Sequence, residues 1–146
     1  MSFWEKGYLA TAGAVAMSAC VYAYIIWQRS IESGDLVAPD AVSFLTYVVV
    51  IVILSGLAFI LIASRDAVKN EPGEPAIGDY DERDKLIGHI ANDQALHITS
   101  FGAYISLLAF IVHGSGNVLF YSVLSALALG EISMCLLRVF HYNRAI

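Results

Sequence analysis

Long stretches without a formal charge constrain the fold of this chain more than any other feature of its sequence. They occupy residues 7–28, 41–64 and 94–130. Each of the first two matches one helix of about 20 residues, the length that crosses about 30 Å of hydrocarbon. The third is long enough for two such helices, and the polar, glycine-containing segment 113–117 interrupts it. We therefore predict four membrane-spanning helices, with the last two joined in a hairpin.

The composition favours a protein that lies almost entirely within a membrane. Hydrophobic residues make up 58% of the 146 residues and charged residues only 14%, whereas soluble domains average about 25% charged residues. The formal net charge of −5 argues against a nucleic-acid partner, because that binding depends on neutralising phosphates. We predict an all-α four-helix bundle that forms a single membrane domain over residues 1–146. The predicted spans are about 7–28, 41–63, 92–112 and 118–139, and residues 64–91 form a linker and a charged segment.

The distribution of basic residues predicts how the chain is oriented in the membrane. Seven of the eight fall before the first span, between the second and third spans, or at the end of the chain, namely Lys6, Arg65, Lys69, Arg83, Lys85, Arg138 and Arg144. Only Arg29 falls between the first and second spans. Because Lys and Arg accumulate in cytoplasmic loops, we expect both termini and residues 64–91 to be cytoplasmic. The third helix is then expected to begin in the cytoplasm, as a juxtamembrane extension of its span.

The first two spans differ in the way they are expected to pack. The first is rich in Gly, Ala, Ser and Thr, small residues that let helix backbones approach closely in lipid. The second is dominated by Val, Ile and Leu and is expected to face the lipid. Two prolines and a glycine within residues 70–75 predict an irregular linker that begins near Ser64.

Polar side chains form a stripe along one face of the third helix. At 100° per residue they fall within about 80° of one another. The members of the stripe are Glu82, His89, Asp93, His97, Ser100 and Tyr104. Three of them, His89, Asp93 and His97, are spaced four residues apart, so that neighbours on the helix surface are close enough to hydrogen-bond.

An acidic residue, Glu131, lies well inside the predicted fourth span and shares a helix face with Arg138. An ionised group at that depth costs about 2.5–3.5 kcal/mol on insertion scales unless it is neutral, paired or hydrated. We therefore expect Glu131 to face the interior of the bundle. Its candidate partners at similar depth are His97, Thr99 and Ser100 across the hairpin, with Arg138 two turns away on its own helix.

Four hypotheses are open for this polar cluster. The first is a structural pair, in which His97 and Glu131 fix the packing of the hairpin. The second is a proton or cation site, in which Glu131 titrates and His97 acts as a relay. The third is a metal site at His89, Asp93 and His97, which Glu131 would have to complete because one helix supplies at most two adjacent ligands. The fourth is haem, for which His97 lacks a histidine at equal depth on another helix.

Signatures of soluble enzymes are absent from the sequence. There is no glycine-rich phosphate loop, no Gly-x-Ser-x-Gly elbow and no His-Glu-x-x-His motif. We predict a protein with no catalytic residues, no resident metal and no cofactor.

A charged box, defined as Asp81, Glu82, Arg83 and Asp84, precedes the third span. Acidic residues are favoured in the first turn of a helix by its dipole, so the box indicates where the third helix begins. If it is cytoplasmic, its charges are available to a protein partner. We therefore predict that the box is a docking site.

Five short segments are similar to those of a known family. They are residues 1–6 (Met-Ser-Phe-Trp-Glu-Lys), 81–87 (Asp-Glu-Arg-Asp-Lys-Leu-Ile), 116–119 (Gly-Asn-Val-Leu), 129–132 (Leu-Gly-Glu-Ile) and 141–144 (His-Tyr-Asn-Arg). In these features, which extend over the whole chain, it resembles a family of small four-span bacterial inner-membrane proteins of unknown function. The segment 81–87 is the most specific of the five.

The resemblance implies a place in the bacterial inner membrane. Because similar genes often stand beside small helix-turn-helix regulators, it also implies a signalling or regulatory role. Family members usually carry Arg or another polar residue at the position of His89, and an aromatic residue near Leu96 and His97. Glu131 and the charged box are therefore the features that the chain shares with the family.

The leading hypothesis for function is a non-enzymatic membrane protein that senses, regulates or scaffolds through the charged box. One alternative is an accessory subunit of a larger respiratory or transport complex, which would use the small residues of the first span for contact. Another is a small proton or ion conductor that uses Glu131. The expected partners are the lipid bilayer and other membrane-protein chains, or further copies of this one.

Overall fold

A computed structural model describes the backbone of residues 3–69 and 82–144 and the side chains of residues 4–65 and 82–144. The described residues form four α-helices: α1 (Phe3–Ser33), α2 (Ala41–Lys69), α3 (Glu82–His113) and α4 (Gly116–Arg144). All four are long and apolar enough to cross a membrane. At 1.5 Å per residue they are about 44–48 Å long, which exceeds the roughly 30 Å of a hydrocarbon core. The prediction of an all-α protein with four helices of membrane-spanning length is confirmed.

The helices enclose all four predicted spans and extend beyond most of their ends. Helix α2 continues to Lys69, so the prediction that an irregular linker begins near Ser64 is wrong. The reason is local, because no Gly or Pro occurs between Gly56 and Pro72 and the intervening residues are compatible with a helix. The proline-containing segment 70–75 and Asp81 of the charged box lie outside the described residues.

Two glycines end helices at one end of the molecule. Gly34 and Gly114 have φ of 75° and 66°, a left-handed conformation that glycine adopts without steric cost. Their amides donate to the carbonyls of Ser30 and Phe110 at 3.0 and 2.7 Å, which closes the last turns of α1 and α3. The predicted hairpin break at residues 113–117 is therefore a tight turn at Gly114.

The helices pack in the order α2, α1, α4, α3. Helix α1 contacts α2 on one side and α4 on the other, and α4 contacts α3. Within the described residues, α2 and α3 do not contact each other, so the bundle is open along that side. Of the apolar window of α1, 33% is buried, against 6% for α2. The second helix thus faces outward, as its composition predicted.

Helix α1 is one of the two inner helices of this order, and its small residues are used inside the molecule. Ala12, Ala14 and Ser18 are buried, and the space at Gly7 is filled by the ring of Phe59. Close packing by small residues is thus confirmed, and it occurs within the chain. Contact of the first span with an outside partner stays a prediction, since Gly13 on the same helix is exposed.

Both inter-helix turns lie at one end of the molecule, which we call the outer end. The Asn117 amide donates to the carbonyl of Leu36 at 2.9 Å, and the Tyr121 hydroxyl donates to the carbonyl of Val37 at 3.1 Å. Below them, Tyr22 and Tyr47 pack with their ring centroids 5.0 Å apart. The start of α4 therefore holds the loop that joins α1 and α2. The opposite end, where α1 begins and α4 ends, is the inner end.

Candidate functional site

Helix α3 packs on α4 through small residues at spacings of three or four. This packed seam consists of Gly88, Ala91, Ala95, Thr99, Gly102 and Ser106. A β-carbon on Gly102 would lie 2.6 Å from that of Ala126, and one on Gly130 would overlap the Thr99 hydroxyl. The two helices are therefore closer than larger side chains allow. Sequence reasoning missed this seam, although its spacing is visible in the sequence.

The predicted polar stripe lies on the opposite face of α3. Its six members are all exposed, and the helical repeat places them about 150° from the packed seam. Among the described residues, none of His89, Asp93, His97 and Ser100 has a hydrogen-bond or ion-pair partner for its side chain. The stripe is real, but it points away from the rest of the bundle.

The same face carries a second regular pattern, which we call the exposed seam. Its members recur at alternating intervals of four and three residues over the whole helix, and every one is exposed. They are Leu86, Ile90, Asp93, His97, Ser100, Tyr104, Leu107 and Ile111. They form one row along the helix, polar in its middle and apolar toward both ends. Sequence reasoning found the polar part of this face and missed its apolar continuation.

Glu131 lies near the middle of α4, and it is exposed. Its neighbour Gly130 is at the same level as Thr99 of α3, so the predicted similarity in depth between Glu131, His97 and Ser100 is consistent with the packing. The prediction that Glu131 faces the bundle interior is wrong. The small Gly130 occupies the contact with α3, which turns the next side chain about 100° away.

The predicted pairing of His97 with Glu131 is also wrong, because both side chains are exposed and they lie on differently directed faces. Nor does Glu131 pair with Arg138. The guanidinium carbon of Arg138 lies 4.6 Å from the centroid of the Tyr8 ring, a cation–π contact with α1. The Nε of Arg138 is buried without a hydrogen-bond partner. The roles of Glu131 and His97 in any site stay predictions.

The inner end of the hairpin is held by two polar contacts that join α3 to α4. The Tyr142 hydroxyl donates to a carboxylate oxygen of Asp84 at 2.6 Å, and a ring nitrogen of His141 lies 3.1 Å from the side-chain oxygen of Gln94. Asp84 was expected to be available to a partner, and here it accepts a bond from the chain itself. Glu82 and Arg83 of the charged box are exposed.

The metal hypothesis finds no geometric support in the described part of the chain. Among residues 4–65 and 82–144, no three His, Cys, Asp or Glu side chains form a group that could hold a metal ion. His89, Asp93 and His97 follow one face of one helix, and Glu131 points elsewhere. The fourth ligand that the hypothesis required is therefore not brought to the other three.

The outer loop carries an ion pair between Arg29 and Asp40. Arg29 lies 3.3 Å from Asp40 and donates to the Ser43 hydroxyl at 3.2 Å. Asp40 also accepts the Ser43 amide at 2.9 Å and so caps the start of α2. These hydrogen bonds, with that from the Ser43 side chain the largest cause, lower the pKa of the Asp40 carboxyl below its usual 3.8.

Two grooves open sideways toward the outer end. One, of about 640 Å³, lies between α1 and α4, and the other, of about 460 Å³, lies between α1 and α2. Apolar side chains form most of both walls, and Tyr22 and Tyr47 line both. Neither groove includes a member of the polar stripe or Glu131, so the stripe is a surface and not the lining of either cavity.

Comparison with protein-family models, with curated proteins and with solved structures gave no match. The resemblance to small four-span bacterial inner-membrane proteins therefore stays a prediction.

Proposed function

We propose that this protein is a non-enzymatic subunit of a membrane assembly, and that it meets its partner through the exposed face of α3. The observation that carries the proposal is the position of the polar stripe. Asp93, His97 and Ser100 lie on the surface of a helix of membrane-spanning length, on the face that α4 does not cover.

The energetics of that face support a protein partner over lipid. A charged group at the centre of a membrane helix costs about 2.5–3.5 kcal/mol on insertion scales, and such residues normally face a bundle interior, pair with each other or contact water. In the predicted span of 92–112, His97 and Ser100 lie deeper than Asp93, which is near the inner edge. Asp93, His97 and Ser100 are all exposed, and none of them has a side-chain partner among the described residues. Glu131 adds another exposed ionisable group at mid-helix. A partner helix that brings hydrogen-bonding groups to this face would remove most of the penalty.

The proposed topology is that of a multi-pass protein of the bacterial inner membrane with both termini in the cytoplasm. The excess of basic residues at the inner end supports it. In that orientation the first turn of α3, with Glu82 and Arg83, stands at the cytoplasmic edge of the same helix. A regulatory partner that binds the charged box would then contact a surface that is continuous with the membrane interface. The box and the exposed face belong to one docking helix in this proposal.

The test is the mass and composition of the particle taken from native membranes. We expect extraction into polymer-bounded lipid discs to give a particle larger than the single 15.8 kDa chain. Ser100→Trp, which places a bulky ring on the exposed seam, should lower the assembled fraction. Phe101→Trp is the matched control, because Phe101 is exposed and points about 100° away. Recovery of wild type only as single chains would overturn the proposal.

A further inference from the structure

We propose that the partner is a second copy of this chain, packed α3 against α3 along the exposed seam, with a two-fold axis perpendicular to the membrane. This inference rests on the proposed function, because it names the occupant of the same surface. It is narrower than the proposed function, because a partner that is a different membrane-protein chain would also satisfy the proposed function.

The position of the exposed seam indicates that its occupant is a helix. Within the hydrocarbon of a membrane every backbone polar group must be satisfied, so the elements that span it are helices or closed barrels. A partner that brings hydrogen-bonding groups to Asp93, His97 and Ser100, on a helix of membrane-spanning length, is therefore a helix. The eight exposed members run from Leu86 to Ile111, about 37 Å at 1.5 Å per residue. The free seam is therefore long enough for contact across the whole hydrocarbon core.

The order of side chains along the seam selects the occupant. Its inner half carries Asp93, His97 and Ser100, and its outer half carries Leu107 and Ile111. A partner must bring polar groups to the depth of the first three and apolar groups to the depth of the last two. A second copy inserted in the same direction does so automatically, because each residue meets the same region of its symmetry mate. The pairing is then necessarily parallel.

The spacing of the charged groups also suits a two-fold pair. In an isologous interface, a contact between residue i and residue j of the mate is accompanied by the reverse contact. In a parallel pair, Asp93 of one copy and His97 of the other occupy successive positions along the facing seams. The imidazole N–H of each His97 would donate to the carboxylate of the other copy's Asp93, which gives two equivalent hydrogen bonds. The exposed side chains that lack partners in one chain thus become partners across the axis.

Cysteine crosslinking in native membranes tests the geometry. The two native cysteines, Cys20 and Cys135, are first replaced by Ala. Single cysteines are then introduced as Ser100→Cys and Leu107→Cys, with Ile105→Cys as control. Ile105 is exposed, but it points about 140–160° away from both positions. We expect oxidation to give a band of twice the chain mass for the two seam variants and none for the control.

The outcomes separate this inference from the proposed function. A seam cysteine that crosslinks to a different chain, within a particle of high mass, overturns the second copy and leaves the proposed function in place. Equal crosslinking at Ile105 and Ser100 overturns the geometry. A monomeric particle with no crosslink overturns both.

A second measurement tests the reciprocal hydrogen bonds by energy transfer between labelled chains in liposomes. Removal of both hydrogen bonds with His97→Ala should weaken self-association by about tenfold or more. Asn92→Ala is the control, an exposed polar residue on a neighbouring face. The exchange variant, Asp93→His with His97→Asp, should restore association, because it keeps both pairs. Equal association of wild type and His97→Ala would overturn the pairing.

Discussion

The Thr99 hydroxyl occupies the space that a β-carbon on Gly130 would need, so these two residues bring α3 and α4 into close contact. A methyl group at position 130 must push the helices apart. We expect Gly130→Ala to lower the free energy of unfolding in detergent by about 1–3 kcal/mol, the usual effect of overpacking. Gly102→Ala should act in the same direction against Ala126. Unfolding monitored by circular dichroism with increasing denaturing detergent measures both.

The matched control for these variants is Gly56→Ala in α2. A β-carbon there meets nothing within 4 Å, and Ala is the better helix former by about 1 kcal/mol. This variant should be neutral or slightly more stable than wild type. If Gly130→Ala and Gly56→Ala had equal stability, close contact at Gly130 would not be a feature of the protein in solution.

The hydrogen bond from Tyr142 to Asp84 fastens the end of α4 to the first turn of α3. Tyr142→Phe keeps the ring and removes the donor, so we expect a loss of about 1 kcal/mol in stability. Amide hydrogen exchange should become faster in the first turns of α3. Asn143→Ala serves as the control, because the Asn143 side chain bonds only the carbonyl of Val139, one turn back on its own helix. Unchanged exchange in Tyr142→Phe would contradict the fastening role.

At the outer end, the Tyr121 hydroxyl holds the α1–α2 loop through the carbonyl of Val37. Tyr121→Phe should cost about 0.5–1.5 kcal/mol and make the loop more sensitive to protease added on that side. The edge-to-face contact with Phe120 is retained, so the helix itself should not change. Tyr24→Phe is the control, since Tyr24 is exposed and its hydroxyl contacts only Gln28. Equal cleavage of the two variants would contradict the role of the Tyr121 hydroxyl in holding the α1–α2 loop.

The arrangement of the helices was easier to predict from the sequence than the faces that they cover. Charge-free length predicted four helices, and composition predicted that α1 packs closely through small residues and that α2 faces outward. Glu131 was misplaced because the prediction assigned the helix contact to the residue with the largest penalty in lipid. The structure assigns it to Gly130, whose lack of a side chain permits contact with Thr99. Steric fit between helices, and not polarity alone, decides which face is inside.

His97 shows why pairwise contacts were harder to predict than faces. The helical repeat correctly grouped it with Asp93 and Ser100, because that grouping depends only on spacing within one helix. Its partner depended on the rotation of α3 about its axis, which the small residues of the packed seam determine. Those residues are individually unremarkable, and only their spacing of three or four marks them. Reading that spacing would have placed His97 on the outer face.

The carboxyl of Asp40 makes stability at the outer end depend on pH. Hydrogen bonds from Ser43 lower the pKa of Asp40 below its usual 3.8, so the folded state favours the carboxylate. Its contribution is present above that usual value and is lost as the pH falls through the lowered pKa. Ser43→Ala should raise the pKa of Asp40, as measured by carbon NMR of the labelled carboxyl. Ser33→Ala, which removes bonds to Ser30 and Asp35 instead, should leave it unchanged.

Proton conduction by the chain is tested at Glu131. This residue and the polar stripe of α3 face different directions, so within the described residues a single chain does not join them into one path. We therefore expect liposomes that contain wild type to lose a pH gradient no faster than protein-free liposomes, and Glu131→Gln to behave identically. A pH-sensitive dye enclosed in the liposomes measures the decay, and a proton ionophore added at the end confirms that a gradient was present. Rapid decay in wild type that disappears in Glu131→Gln would contradict this expectation. It would make Glu131 a titrating site, with water or a second chain completing the path that one chain lacks.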